Sequence, residues 1–94
     1  MFEIGMDRKD EIRLAGRFDA TQVEKATEVF NRIQESKIVN FADLDYISSA
    51  GLSVLLKTQK RLMASDHQLI LKNLNRHIRE VFKYAGFDMI FKIE

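Results

Sequence analysis

Two adjacent hydroxyls, Ser48 and Ser49, followed by Ala50 and Gly51, are the residues of this chain best placed to do chemistry. The apolar run Ile38-Val39-Asn40-Phe41 before them reads as a buried strand. Ser53-Val54-Leu55-Leu56-Lys57 after them reads as the start of an amphipathic helix. At a strand-to-helix turn such hydroxyls meet unpaired backbone N–H groups and the positive end of the helix dipole. The arrangement suits a plain helix cap, a phosphate cradle or a site of modification. As a cap, Ser48 or Ser49 contributes about 1 kcal/mol, and Gly51 lets the chain pass closely. Spacing alone leaves the three readings open.

The other reactive side chains form no constellation. There is no cysteine, which excludes disulfides and thiol chemistry and is compatible with a reducing compartment. His67 falls in a turn and His77 on a first helical turn, with no cysteine to join a metal site. Both are read as exposed and idle. No histidine stands at a suggestive distance from Ser48 or Ser49, and the carboxylates are scattered along helix faces. No glycine-rich loop of the P-loop or dinucleotide type is present. A binding protein rather than an enzyme is expected, with no metal site and no cofactor.

The elements that must position the turn follow from hydrophobic periodicity. Phe2, Ile4 and Met6 alternate with polar or small residues, and Ile12 and Leu14 flank Arg13. These are two half-buried strands of a hairpin turning at Arg8-Lys9-Asp10. Gly16-Arg17-Phe18-Asp19 ends the second strand. Thr21 and Glu24 fit a capping box, and Val23, Ala26, Phe30 and Ile33 form the apolar stripe of a first helix closing at Ser36-Lys37.

The strand at Ile38–Phe41 lacks alternation, which predicts cover on both faces. A second helix is expected from about Ala50 to Ala64, with Leu52, Leu55, Leu56, Leu62 and Met63 inward. Leu69-Ile70-Leu71 is a further strand. Asn75 caps a last helix with Ile78, Val81, Phe82 and Ala85 inward, and Gly86 stands at its left-handed end beside Phe87. Met89–Ile93 forms a strand or irregular tail.

The order β-β-α-β-α-β-α-tail predicts one α/β domain over residues 1–94. Its mixed sheet has four to five strands, with about three helices packed mainly on one face. Fifteen basic against fourteen acidic residues give a net charge of +1, so no nucleic-acid partner is expected. No run approaches the ~20 apolar residues that span a bilayer, and Met1–Gly5 lacks the features of a signal peptide. A cytoplasmic location is expected.

Asp43-Leu44-Asp45-Tyr46-Ile47-Ser48-Ser49-Ala50-Gly51-Leu52-Ser53-Val54-Leu55 resembles the signature of the anti-sigma factor antagonist family, the STAS domains. Gly16-Arg17-Phe18-Asp19 is similar to the turn after that family's second strand. Asn73-Leu74, Ile78-x-x-Val81-Phe82 and Ala85-Gly86-Phe87 are similar to its C-terminal section. The resemblance covers essentially the whole chain. It implies that Ser49, or as second choice Ser48, is phosphorylated by a partner anti-sigma factor that is a serine kinase, and restored by a phosphatase.

The resemblance also implies a partner surface of Asp19, Tyr46, Ser48, Ser49, Ala50, Gly51, Leu52 and Ser53. Ser48 stands where the family commonly has an aspartate. The same fold also serves as an accessory subunit of membrane transporter complexes, acting without phosphorylation, which is the alternative function.

Overall fold

The alternation at the N-terminus produces the expected hairpin. In the computed structural model, which describes residues 1–94, β1 (Phe2–Met6) pairs antiparallel with β2 (Ile12–Phe18), Ile4 opposite Leu14. Three helix–strand units come next: α1 (Val23–Phe30) leads to β3 (Lys37–Ile47), α2 (Ser49–Met63) to β4 (Leu69–Lys72), and α3 (Arg76–Tyr84) to β5 (Lys92–Ile93). Short 3-10 turns at Ala20–Gln22 and Phe87–Met89 precede α1 and β5. The tail is thus both irregular and a strand, making five strands in the order β1-β2-β3-β4-β5.

Strands β2 to β5 are parallel, and each crossover steps to the next position in the same direction. Right-handed crossovers that all step one way put every helix on one face of the sheet. That face carries Ile12, Leu14, Phe18, Val39, Phe41, Leu69 and Leu71, all almost completely buried. The phenylalanines tie it together: Phe2 stacks on Phe18 at 4.8 Å, and Phe82 of α3 meets Phe41 and Phe91 edge-on at 5.9 and 5.8 Å.

The opposite face is open and polar. Arg13 pairs with Asp43 at 2.7 Å, Lys72 with Glu11 at 2.8 Å, and the Arg17 guanidinium lies 4.2 Å from the centre of the Tyr46 ring. The expectation that β3 is covered on both faces is therefore wrong. Two register shifts against β2, between Arg13 and Ala15 and between Gly16 and Arg17, bend β3 as it runs on to the serine turn. They lie past Phe41 and keep Leu44 and Ile47 inward at uneven spacing. Within Ile38–Phe41, Val39 and Phe41 alternate inward, and the apolar Ile38, half-buried on the open face, hides that alternation.

Gly16 lies within β2 rather than in a terminal turn. Its φ is +86°, and a Cβ there would stand 1.9 Å from the Met1 carbonyl oxygen, so only glycine fits. The predicted capping box is also absent. Thr21 donates to Asp19 instead, and α1 begins at Val23 with no side-chain cap. That helix stops at Phe30, although Ile33 beyond it still reaches the core.

Leu56 is half-buried, and Met63 and Ala85 are exposed, contrary to their assignment inward. Thr58 and Gln59 take buried places on α2. Thr58 Oγ1 donates to the Val54 carbonyl, and Gln59 accepts from Leu69 N–H at 2.7 Å while donating to Ile90 O at 3.0 Å. His67 is not idle: its Nδ1 accepts the Ser36 N–H at 3.2 Å, holding two connections together.

Candidate functional site

The turn between β3 and α2 sits at the carboxyl ends of the parallel strands, the edge where such sheets present their sites. Its two serines have separate positions. Ser48 is extended (φ −90°, ψ 171°), and its Oγ accepts the Gly51 N–H at 3.2 Å, which makes it the N-cap. Ser49 is the first helical residue, and its side chain is exposed.

The turn is held from below by the end of β2. Ser48 N–H donates to the Phe18 carbonyl at 2.9 Å, so strand pairing runs straight into the cap. Gly51 is buried against the same residue: a Cβ there would stand 2.9 Å from Ile47 Cγ1 and 3.0 Å from Phe18 O. Leu52 enters the core, and its N–H donates to Ser48 O at 2.9 Å to close the first helical bond. Gly51 and Leu52 therefore build the turn rather than face outward.

Asp19 follows Phe18 directly and brings a carboxylate into the loop on which the turn rests. It accepts the Thr21 N–H at 3.0 Å and the Thr21 hydroxyl. The Thr21 hydroxyl is the main cause that holds the Asp19 carboxyl below its ordinary value, helped by the Thr21 N–H and the positive charges of Arg17 and the N-terminus. Asp19 is ionised at neutral pH and spends its hydrogen bonds within its own loop. Tyr46 lies on the open face of the sheet under Arg17, separate from the helix side.

Outward from the turn, α2 shows solvent a stripe of Ser49, Ser53, Lys57 and Lys60, with Leu56 half-exposed beside it. In the sequence Leu56 reads as core because it is apolar, yet it lies ~100° round the helix from the buried Leu55. Arg17, which the sequence places only in the run ending the second strand, lies opposite Tyr46 in register and stacks its guanidinium on that ring. None of the larger clefts is lined by Ser48 or Ser49. The turn is a projecting hydroxyl on a rigid edge, geometry suited to a macromolecular partner and to acceptance of a phosphoryl group.

A family profile described as STAS domain matches residues 4–94. BtrV of Bordetella bronchiseptica, named as a candidate anti-sigma factor antagonist, is 39% identical over 74 residues, which are 79% of this chain. The chain spans 58% of the length of that relative. Among solved structures, the unphosphorylated anti-sigma factor antagonist SpoIIAA superposes over 100% of this chain and 87% of its own, with a TM-score of 0.71 and 20% identity. The phosphorylated form of SpoIIAA from Bacillus gives 0.70 at 22% identity, over 100% and 91% of the two chains. A STAS-domain anti-sigma-factor antagonist from Planctomyces limnophilus gives 0.77 at 12% identity, over 99% and 87%.

Proposed function

The chain belongs to the STAS domain family, and from that premise we propose that it is an anti-sigma factor antagonist switched by phosphorylation of Ser49. Its unmodified turn docks on an anti-sigma factor of the serine-kinase type, and a phosphatase returns the modified chain to the binding state. One observation carries the choice of residue: Ser48 is occupied by the cap bond to Gly51, whereas Ser49 stands exposed one position on.

The physical consequences of a phosphate at Ser49 are local. It adds roughly −1.5 to −2 charges and three acceptor oxygens. At the first position of α2 it meets free N–H groups and the positive dipole end, so the helix tolerates it. A partner packed over Ser49 and Ser53 would instead meet a charged, hydrated group, with ionised Asp19 in the adjoining loop adding to the negative field. A loss of ~3 kcal/mol weakens such a complex about a hundredfold. SpoIIAA is matched almost equally in its two forms, at 0.71 and 0.70, which supports a modification that leaves this fold in place.

Serine in place of the family's common aspartate at position 48 keeps the cap, because serine and aspartate serve about equally there. It also removes a negative charge next to Ser49, which eases approach of the kinase's nucleotide. No helix is long and apolar enough to cross a membrane. None of the three relatives bears the name of an enzyme.

The test is a side-by-side pull-down with wild type, Ser49→Asp and Ser49→Ala from cells that express the natural partner. Capture of a kinase-type anti-sigma factor by wild type and Ser49→Ala, and its loss with Ser49→Asp, is the expected outcome. Capture of a membrane transporter by all three would establish the accessory-subunit reading instead.

A further inference from the structure

The edge strand β1 carries open hydrogen-bonding groups beside a cleft. Arg17 N–H donates to Met1 O, and Asp7 N–H to Glu11 O, so the odd-numbered residues of β1 turn their backbone toward β2. Phe2, Ile4 and Met6 must then turn theirs outward. The Phe2 carbonyl accepts Lys25 Nζ at 3.0 Å and keeps a second lone pair. Beneath this edge runs a cleft of about 480 Å³, lined by Ile4, Met6, Val29 and Ile33 together with polar residues and charges of both signs, Arg32 and Glu35 among them. Met6 is 47% exposed there.

A strand edge with free N–H and C=O groups is completed by another strand. The sequence of β1 fits its own reverse. Antiparallel about Ile4, Phe2 faces the second copy's Met6, Ile4 faces the second copy's Ile4, and Glu3 faces the second copy's Gly5, which has no side chain to clash. In that register every outward-facing backbone group lies in a hydrogen-bonded pair. Moving the axis to Gly5 would set Glu3 against the second copy's Asp7, two like charges directly opposite. A net charge of +1 per chain offers little general repulsion between copies.

We propose that two copies of this chain associate through β1, antiparallel about Ile4, into one continuous ten-stranded sheet with the two clefts brought together at the axis. The contact is small, so the dimer is weak and concentration-dependent. It leaves Ser49 and the exposed stripe of α2 uncovered, and so is independent of the phosphorylation reading.

Sedimentation velocity of the full chain from ~10 µM to ~1 mM tests it, a range suited to a weak interface. Wild type should shift toward a dimer as concentration rises. Met6→Lys sets a charge into the apolar edge, and Met6→Pro removes an outward N–H that no bond within the chain uses. Each should weaken association at least tenfold while circular dichroism shows the fold retained. If the proline variant misfolds, Met6→Lys decides alone. Tyr84→Lys, at the exposed end of α3, should dimerise as wild type does. A wild type monomeric throughout, a dimer indifferent to Met6→Lys, or one abolished by Tyr84→Lys would overturn the proposal.

Discussion

Two strand-to-helix turns leave the same edge of the sheet, one into α2 and one into α3, and they are capped alike. Ser48 accepts the Gly51 N–H at 3.2 Å and Asn75 accepts the Ile78 N–H at 2.8 Å, both from extended backbone. They differ in the residues just beyond the cap and in the contacts that hold the turn. After Asn75 comes Arg76, whose side chain is 95% exposed and offers no hydroxyl to a serine kinase. After Ser48 comes the exposed hydroxyl of Ser49. Three residues past the cap, α3 has the bulky, buried Ile78, whereas α2 has Gly51 pressed on Phe18 and Ile47. A cap is thus a common device, and each turn is tied to the neighbouring strand, Ser48 N–H to Phe18 O and Asn75 Nδ2 to Leu44 O; the hydroxyl beyond the cap is the distinguishing feature.

The largest expected effect separates the two turns by function. Ser49→Asp should weaken partner binding about a hundredfold, equivalent to ~3 kcal/mol, whereas Arg76→Asp should leave it within about twofold, as for an exposed charge outside the contact. Titration calorimetry with the isolated partner measures both. Equal losses would erase the distinction.

The next effect concerns how the turn is held. Gly51→Val introduces branched bulk where even one added carbon crowds Phe18 and Ile47. It should lower the stability of the fold by about 1–3 kcal/mol in urea denaturation. Replacing Gly5, which has nothing within 4 Å of its missing Cβ, with alanine should change little by the same assay.

The caps themselves should give smaller losses. Ser48→Ala should cost about 1 kcal/mol, and Ser48→Asp should restore it. Asn75→Ala should cost more, because Asn75 Nδ2 also donates to the Leu44 carbonyl at 3.2 Å; the further loss should be roughly 0.5–1.5 kcal/mol. Thermal melts of the three variants would rank them. A Ser48→Ala variant as stable as wild type would remove Ser48 from the capping role.

The smallest effect is one of pH. The native Asp19 carboxyl titrates below its ordinary value of 3.8, mainly because of the Thr21 hydroxyl. Its stabilising contribution is therefore complete above the unfolded value and is lost as pH falls through the lower native one. Thr21→Val should reduce stability at neutral pH and flatten the fall of stability in this acid range, as followed by denaturation between about pH 5 and 2. An unchanged acid limb would show that the loop bond contributes nothing.

The sequence makes the local part of this comparison legible. Caps and C-terminal glycines announce themselves within a few residues, so Asn75, Gly86 (φ 74°) and the Ser48-Ser49 turn stand out without any knowledge of the fold. The three crossovers follow from the order of elements. The features that stay hidden depend on partners distant in sequence. Gln59 is buried because Leu69 and Ile90 satisfy both ends of its amide, a fact absent from the sequence of α2. The register shifts of β3 exist only against β2, and the apolar Ile38, on the open face opposite Ile70 of β4, makes a one-sided strand look two-sided. Asp19 displaces the expected Thr21–Glu24 box because two cap geometries compete over a few residues, and a 3-10 turn wins.

The division of labour between Ser48 and Ser49 is best tested by incubating the wild-type chain with its kinase-type partner and ATP, then locating the phosphate by fragmentation mass spectrometry. Phosphate is expected on Ser49 alone, lost in Ser49→Ala and retained in Ser48→Ala. Phosphate on Ser48, or none on either serine with an active kinase, would contradict that division.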